Sequence, residues 1–328
     1  MQLPTDHITA DCFPPTGYTR TMPHNISGPR TDERQAATNT QVILSFDMGG
    51  SHVAAMAAPL NSPFAGTSAS AALDEGGSAS YLFDRIEGAA RVALSALTPP
   101  AVIVGIAVAM PGPFDYANGI SLLQHKFAAW YGVDVRKHLA VRFGIDEENI
   151  VFLNDADAFL LGELHDSSAS KAVGITLGTG IGAAFAIDGR AVPATEILPN
   201  HCDLYALPWK GSTVEEFLST RGIMKLHKER GGHYQSVKEI AEKSGVDPIA
   251  ADTMSAFGKE LGLVIDTFLS PFAPDVIILG GSISRSYQTF LPGVLSVNPV
   301  LANLFRVASY FEKAALLGSI AEWLRQRG

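Results

Sequence analysis

Two glycine-rich turns, each set between apolar stretches, constrain the fold of this 328-residue chain more than any other feature. The first is "FDMGGSH" at residues 46–52, and the second lies within "KAVGITLGTGIGAAFAIDGR" at residues 171–190. Each turn joins two apolar runs that predict strands. Each unit also precedes a buried strand that ends in a glycine turn, "AVAMPG" in the first half and "IILGG" in the second. The repeat favours two similar α/β lobes whose first turns face each other across one cleft.

The first turn places a carboxylate, Asp47, just before the glycine pair Gly49 and Gly50. A β-hairpin whose turn needs positive φ would account for the glycines. A turn that faces a phosphate, with the aspartate beside a metal ion, would account for the acid as well. The residues of the turn leave both interpretations open.

The second turn fits the spacing of a dinucleotide-binding fingerprint, with Gly178, Gly180 and Ala183 at the required positions. That fingerprint has to open a helix, so that the pyrophosphate meets the helix N-terminus. Here the following residues are apolar and end in an Asp-Gly turn, which predicts a second strand. We therefore expect a cradle of backbone N–H groups for a terminal phosphate, with Thr179 adding a hydroxyl.

The segment "FLNDADAF" ends a predicted strand at Asn154 and Asp155 and then opens a helix. Asn and Asp are common caps at such a junction, which is one interpretation of these two residues. A carboxylate at the carboxyl end of a strand also points into the crevice where α/β folds bind ligands. There it could accept a proton from an attacking hydroxyl.

Carboxylates, amides and an imidazole are the groups that grip sugar hydroxyls, and the chain offers such a set if the fold gathers it. A zinc site at His201 and Cys202 is disfavoured, because adjacent ligands without a second pair do not make one. Lys126, Trp130 and Tyr131 stand where a substrate loop could pass, but an aromatic packed on a helix is the favoured interpretation there. Each sugar candidate, taken singly, could also be a solvated or capping residue. The candidates are Asn154, Asp155, Glu196, His201 and Glu215.

Composition narrows the classes of partner. The formal net charge of −9 argues against a nucleic-acid surface or an anionic membrane as the main partner. Two cysteines do not make a disulfide framework, which favours a reducing, cytoplasmic setting. The most apolar run, residues 101–110, is shorter than the roughly 20 residues that span a bilayer. Residues 1–39, rich in Pro, Thr, Asn and charge, predict a disordered or loosely docked tail.

Seven segments in order resemble the ROK family of sugar kinases and related repressors, within the superfamily of sugar kinases, actin and Hsp70. The likeness runs from about Val42 to Trp323, and its segments are "FDMGGS", "AVAMPGPFD…NGI", "GVDVRKHL", "LNDADAFLLGE", "LGTGIGA…DGR", "VEEFLS" and "PDVIILGGSIS". The resemblance implies an α/β fold of two ribonuclease-H-like (actin-like ATPase) lobes flanking a cleft for ATP and a sugar. Residues 40–153 with 310–328 would form a small lobe with a returning C-terminal helix, and residues 154–309 a large lobe.

The resemblance also implies roles for individual residues. Asp155 would be the catalytic base, and Asp47 would hold Mg²⁺, through water, beside the phosphates. The implied nucleotide contacts are Asp47, Gly49, Gly50, Ser51, Gly178, Thr179, Gly180, Gly280 and Gly281. The implied sugar contacts are Asn154, Asp155, Glu196, His201, Glu215 and Gly112.

Two departures from the family pattern shape the expected function. Most members carry a cysteine-rich zinc motif where this chain has "CDLYALPWKGSTVE", with one cysteine, so no zinc is expected. The repressor branch has a DNA-binding domain in front, whereas only a polar tail precedes Val42 here, so the kinase branch is favoured. We expect a cytoplasmic, homodimeric enzyme that phosphorylates a free hexose with ATP and Mg²⁺, without nucleic-acid or membrane partners. Glucose leads, ahead of fructose, mannose and amino sugars, and a non-catalytic sugar-sensing regulator is the alternative.

The missing cysteine cluster predicts that the purified protein binds no stoichiometric zinc. Elemental analysis of protein prepared without chelators should find far less than one zinc ion per chain. One zinc ion per chain would contradict this expectation and would reveal ligands that the sequence pattern does not show.

Overall fold

The computed structural model describes residues 39–97 and 100–327, so all of the predicted tail except Asn39 lies outside the described residues. The first half contains β1 (Thr40–Met48), β2 (His52–Pro59), β3 (Thr67–Ala72), α1 (Ala79–Ser95), β4 (Ala101–Met110), β5 (Phe114–Asp115), β6 (Ile120–Ser121), α2 (Val135–Phe143) and β7 (Ile150–Asn154). Next come α3 (Asp155–Leu164), β8 (Lys171–Leu177), β9 (Ile181–Ile187), β10 (Arg190–Val192), α4 (Ala194–Ile197), β11 (Pro208–Trp209), β12 (Ser212–Thr213) and α5 (Val214–Phe217).

The remaining elements are α6 (Thr220–Glu229), α7 (Val237–Lys243), α8 (Pro248–Val264), β13 (Val276–Gly280), α9 (Tyr287–Val297), β14 (Phe305–Val307) and α10 (Ala314–Arg325). Short 3₁₀ turns occupy Ala128–Trp130, Glu147–Asn149, Pro199–His201, Leu204–Ala206, Ser270–Phe272, Ile283–Ser286, Pro299–Asn303 and Phe311–Lys313, and a π-helical turn occupies Ile265–Leu269. Among the described residues, no helix is long and apolar enough to cross a membrane.

Two sheets of matching topology organise the described residues. Their strand orders are β3-β2-β1-β4-β7 and β10-β9-β8-β13-β14. In each, the first three strands form an antiparallel meander and the other two join in parallel. A predicted glycine turn joins the first two strands of each sheet, β1 to β2 and β8 to β9. The predicted pair of α/β lobes is therefore confirmed.

Strands β1 and β2 of the first sheet are buried on both faces, which explains why they are apolar without alternation. Successive side chains of a strand point to opposite faces. Leu44 and Phe46 of β1 belong to the core formed with α1, and Ile43 belongs to the core formed with α10. Ser45, on the α10 face, is also buried and donates its hydroxyl hydrogen to the carbonyl oxygen of Leu316 at 2.9 Å.

Helices α3 and α10 cross in backbone contact between the two sheets. A Cβ added to Gly162 of α3 would lie 1.8 Å from the Ala314 carbonyl oxygen, and one added to Gly318 would lie 1.9 Å from that of Ala158. Helix α10 packs on β1 and β4, while α3 packs on β8 and β9. These contacts support the proposed small lobe with its returning C-terminal helix, whose boundaries stay a prediction.

The buried carboxylate of Glu163 adds a second tie between α3 and the segment that leads into α10. It accepts hydrogen bonds from the backbone N–H groups of Ser309 (2.7 Å), Tyr310 (2.7 Å) and Phe311 (3.2 Å). A carboxylate that accepts several backbone N–H groups is held in a fixed position. The end of α3 is therefore fastened to the start of α10.

The helix crossing predicts opposite effects for two glycine-to-alanine substitutions. Gly162→Ala should destabilise the fold by about 1–3 kcal/mol or more, because the new methyl group would press on backbone. Gly88→Ala, in α1 with no atom within 4 Å of an added Cβ, should stabilise by up to about 1 kcal/mol through helix propensity. Urea denaturation of both variants tests this, and equal stabilities would contradict the close crossing.

Candidate active site

The carboxyl ends of β1, β4 and β7 form the edge at which the candidate site lies. Strand register pairs Asp47 with Ala109, and Ala109 with Leu153, which directly precedes Asn154 and Asp155. Asp47 and Asp155 therefore lie at the same end of the sheet, with β4 between their strands, although 108 positions separate them in the chain. The fold brings the two predicted acids together.

Burial raises the pKa of Asp47 to about 7, and the nearby charge of Asp155 adds to the rise. Burial is also the main cause of a raised pKa at Asp155, opposed by the Ala156 backbone N–H and by the charge of Lys126. Buried carboxylates whose pKa values are raised are a common feature of functional sites. The pair would gain from a cation placed between or beside its members.

The junction between β7 and α3 resolves the capping question. Asn154 is the N-cap of α3, and its side-chain oxygen accepts the backbone N–H of Ala156 at 2.9 Å. Asp155 is the first helical residue, and its Oδ1 lies 2.9 Å from the same N–H. The cap is therefore Asn154, and among the described residues the second carboxylate oxygen of Asp155 makes no hydrogen bond.

The first glycine turn is the hairpin between β1 and β2. The Gly49 N–H donates to the His52 carbonyl oxygen at 3.0 Å. A Cβ added to Gly50 would lie 2.9 Å from Oε2 of Glu75, so this turn has a second carboxylate beside it. Ser51 is exposed, and its carbonyl accepts from the Leu73 N–H. The residues do form a β-hairpin, in which Asp47 pairs with Ala54. Neither Gly49 nor Gly50 has a positive φ, so the reason expected for the glycines, a turn that needs positive φ, is wrong.

The second glycine turn joins β8 to β9 and is fastened to α6. The Gly178 carbonyl oxygen accepts both the backbone N–H and the hydroxyl of Thr220, at 2.8 and 2.9 Å. A Cβ added to Gly180 would lie 2.6 Å from Oε2 of Glu215. Thr179 is exposed at the tip of the turn. Glu215, predicted as a sugar contact, therefore lies against the predicted phosphate turn.

The third glycine pair follows β13 and stands beside the second turn. Gly280 pairs with Thr176 of β8, and a Cβ at Gly178 would lie 3.9 Å from the hydroxyl of Ser282. Gly281 has φ of +79°, which a glycine adopts without strain. A Cβ on Gly280 would strike the ring of Phe159 at 2.3 Å, so packing alone requires a glycine there.

Among the described residues, neither Glu196 nor His201 forms a hydrogen bond or an ion pair with the acid pair, Asp47 and Asp155. Both side chains are exposed, and the His201 Nδ1 lies 3.0 Å from the carbonyl oxygen of Thr195. His201 and Asn200 have φ of 51° and 60°, a left-handed conformation that Asn and His adopt more often than other non-glycine residues. Gly112, by contrast, lies near the site, since its added Cβ would be 3.5 Å from the Tyr116 hydroxyl.

The segment "CDLYALPWKGSTVE", in which no zinc is expected, contains the β11–β12 hairpin. Trp209 Nε1 and Lys210 Nζ both donate to the carboxylate of Glu260 on α8, the lysine at 2.7 Å. The indole also packs on Phe268, with ring centroids 5.7 Å apart. In the described part of the chain, no three His, Cys, Asp or Glu side chains are grouped so as to hold a metal ion.

Several residues near the acid pair escaped the sequence patterns. Burial raises the pKa of Tyr116 to about 12, and the charges of Asp155, Asp157 and Asp203 contribute. Burial likewise raises the pKa of Asp157 to about 7, followed by the charges of Asp155, Asp203 and Glu322. Asp203 lies in the loop after His201, where the sequence has no helical or strand periodicity that would place it near the acid pair. The acidic spacing in "NDAD" was the one available signal for Asp157.

The prediction of packed aromatic residues around Lys126 holds for Trp130, whereas Lys126 itself lies near the acid pair, Asp47 and Asp155. Trp130 is fully buried and packs on Phe83, with ring centroids 4.7 Å apart, as a packed aromatic should. Lys126 instead stands close enough to Asp155 for its charge to lower the pKa of that carboxyl. A cation therefore accompanies the acid pair from a loop that the sequence pattern assigned to packing.

The ROK family model matches residues 90–324, and the chain belongs to the ROK family. It is 26% identical over 209 residues to a glucokinase of Thermotoga maritima, covering 55% of this chain and 64% of that protein. It is 25% identical over 203 residues to an N-acetyl-D-glucosamine kinase of Mannheimia succiniciproducens, covering 55% and 66%. The chain thus spans less than two thirds of the length of these curated relatives.

A solved structure of a ROK family glucokinase from Streptomyces griseus, in complex with glucose and AMPPNP, shares the fold. The TM-score is 0.63 at 18% identity, covering 88% of this chain and 100% of that one. The predicted fold class, α/β with two ribonuclease-H-like lobes of the actin-like ATPase type, is therefore confirmed.

The raised pKa of Asp47 predicts a pH-dependent stability. The folded protein binds this proton more tightly than the unfolded chain, whose carboxyl has a pKa near 3.8. The stabilisation is therefore complete below about pH 4 and is lost as the pH rises through about 7. Asp47→Asn should abolish this loss and leave the variant about 1–3 kcal/mol more stable than wild type near pH 8.

Urea denaturation of ligand-free protein at several values between about pH 5 and pH 8 measures the effect. Asp146→Asn, at an exposed carboxyl away from the acid pair, is the control and should follow the wild-type curve. If the free energy of unfolding depended on pH in the same way for Asp47→Asn and wild type, the pKa of Asp47 would not be raised as the structure indicates.

Proposed function

We propose that the protein is a sugar kinase that transfers a phosphoryl group from ATP to a hydroxyl of a free hexose. One observation supports this above all: Asp47 and Asp155 lie at the same end of the first sheet, close enough for the charge of Asp155 to raise the pKa of Asp47. The named activities of the two relatives agree with the proposal. Glucose is the leading substrate, followed by fructose, mannose and amino sugars, and polyphosphate remains an alternative donor.

Asp155 is the proposed base. One of its oxygens is held by the Ala156 N–H, which leaves the other to accept the proton of the attacking hydroxyl. Burial raises its pKa, which increases its proton affinity at neutral pH. The proposed sugar contacts are Asn154, Asp155, Glu196, His201, Glu215 and Gly112.

The first and the second glycine turn would both contact the phosphates, since exposed backbone N–H groups in such turns bind anions. The second turn is rigid, because two hydrogen bonds from Thr220 hold Gly178. The proposed nucleotide contacts are Gly49, Gly50, Ser51, Gly178, Thr179 and Gly180 for the phosphates, with Gly280 and Gly281 toward the adenosine.

The acid pair fits a magnesium ion. Carboxylate oxygen is the ligand that Mg²⁺ prefers, and it commonly binds through one or two carboxylates plus substrate phosphates. Asp47, whose charge is opposed by burial and by Asp155, would hold the ion through water. When bound, Mg²⁺ would supply positive charge to the phosphates. We propose no zinc.

The rival is a sugar-sensing regulator of the same family that keeps the cleft without useful turnover. The presence of both Asp47 and Asp155 favours the enzyme. An ADP-release assay over a panel of hexoses separates the two. A homodimer, a cytoplasmic setting and the absence of nucleic-acid and membrane partners complete the proposal.

Substitution of the proposed base gives the most direct test. Asp155→Asn keeps the shape of the side chain but cannot accept the proton, so turnover should fall by at least about 10²-fold. Sugar binding measured by calorimetry should weaken far less. The melting temperature should not fall, because Asn154 provides the helix cap and neutralising a buried acid with a raised pKa removes a cost to folding. Turnover near the wild-type value would contradict this mechanism, even if the protein is a kinase.

Asp134→Asn is the matched control. Asp134 caps α2, where its carboxylate accepts the Lys137 N–H at 2.9 Å, and asparagine caps helices as well as aspartate does. This variant should keep full turnover, which would show that the loss at Asp155 is not a general effect of neutralising an acid at a helix start.

A further inference from the structure

The hydroxyl of Tyr116 bridges the ends of two strands at the candidate site. It donates to the carbonyl oxygen of Met110, the last residue of β4, at 3.0 Å. It also accepts from Nδ2 of Asn154, the last residue of β7, at 3.1 Å. Met110 and Asn154 are partners in the parallel register. A single side chain from the β5–β6 hairpin therefore ties together the strand ends that lead to Asp155.

These contacts determine which way the Asn154 carboxamide points. Its oxygen accepts the Ala156 N–H, and its nitrogen donates to Tyr116. A flipped amide would place its NH₂ against that N–H, a clash of two donors. Its oxygen would meet a hydroxyl whose only hydrogen is already directed at Met110. Within residues 39–97 and 100–327, Tyr116 is the one acceptor of an Nδ2 hydrogen of Asn154, which leaves the second hydrogen for a ligand.

The tyrosine is itself held on several sides. Its ring packs on Phe114, with centroids 5.3 Å apart, and its backbone carbonyl accepts from the Arg136 guanidinium at 3.3 Å. Burial raises the pKa of Tyr116 to about 12, and three nearby carboxylates contribute to the rise. The hydroxyl therefore keeps its hydrogen, and its bond to Met110, across the range in which proteins work.

We propose that Tyr116 is a positioning residue for the sugar site, one that acts by orienting the carboxamide of Asn154 at the start of α3. The inference rests on the proposed sugar kinase function and adds to it a residue outside the expected contact set. The spare N–H of Asn154 is presented in one orientation instead of two, so a sugar hydroxyl meets a donor that is already in place. Loss of this orientation should raise the entropic cost of binding sugar and leave nucleotide binding unaffected.

The test is a double-substitution cycle with Tyr116→Phe and Asn154→Ser. Serine retains the helix cap but lacks the amide that meets Tyr116. Tyr116→Phe should raise the KM for glucose about 5- to 10-fold, the scale of one neutral hydrogen bond, with little change in the KM for ATP or in kcat. In the Asn154→Ser background, the same substitution should leave the KM for glucose unchanged. A non-additive cycle would identify Asn154 as the intermediary.

Tyr310→Phe is the control for loss of a tyrosine hydroxyl, because that hydroxyl bonds to Asp166 at 3.0 Å, away from the acid pair. It should leave the KM for glucose at the wild-type value. The proposal is overturned if Tyr116→Phe leaves this KM unchanged. It is also overturned if the effect is the same with and without the Asn154 amide, since Tyr116 would then act directly or through another group.

Urea denaturation of the same ligand-free variants measures the coupling between Tyr116 and Asn154 without any substrate. The stabilities should be non-additive for Tyr116→Phe and Asn154→Ser. If the wild type neither binds nor phosphorylates any hexose, the proposed function fails, whereas the unfolding cycle still tests whether Tyr116 orients Asn154. Additive stabilities would then refute the coupling between the two side chains, and non-additive ones would support it.

Discussion

The contact between α3 and α10 is the constraint on which the rest of the structure depends. Each helix packs mainly on a different sheet, and the two cross so closely that glycine is required at Gly162 and Gly318. Glu163 then fastens the end of α3 to the segment before α10 through three backbone N–H groups. Because Asp155 is the first residue of α3, the helix that joins the sheets also determines where the proposed base lies.

Electrostatics at this edge oppose folding and favour binding. Burial raises the pKa values of Asp47 and Asp155, and the charge of Asp155 adds to the rise at Asp47. The free protein thus keeps acids where their charge is costly, which is a common arrangement in catalytic sites. A magnesium ion and a sugar hydroxyl would relieve that cost, whereas Tyr116 and the Ala156 N–H keep the acidic junction in shape without neutralising it.

Local patterns predicted the elements whose residues carry strong periodicity or long apolar runs. The apolar run before "PGP" anticipated β4, and the segment "FLNDADAF" anticipated the end of β7 and the start of α3. Weaker elements were missed for physical reasons. Strand β3, "TSASAA", is poor in β-branched and aromatic residues, and α9 contains Pro292 and lacks a side-chain cap. Both are held by packing against neighbouring elements, which sequence patterns do not report.

By itself the sequence determined the two glycine turns, the buried strands and the polar junction at Asn154 and Asp155, because these depend on turn composition, burial and helix capping within a few residues. Only the tertiary structure decided which groups meet there. Asp47 reaches Asp155 through parallel strand register, Glu215 lies against Gly180, and Tyr116 joins Met110 to Asn154. Such contacts depend on how distant elements pack, and no local propensity or spacing in the chain encodes that geometry.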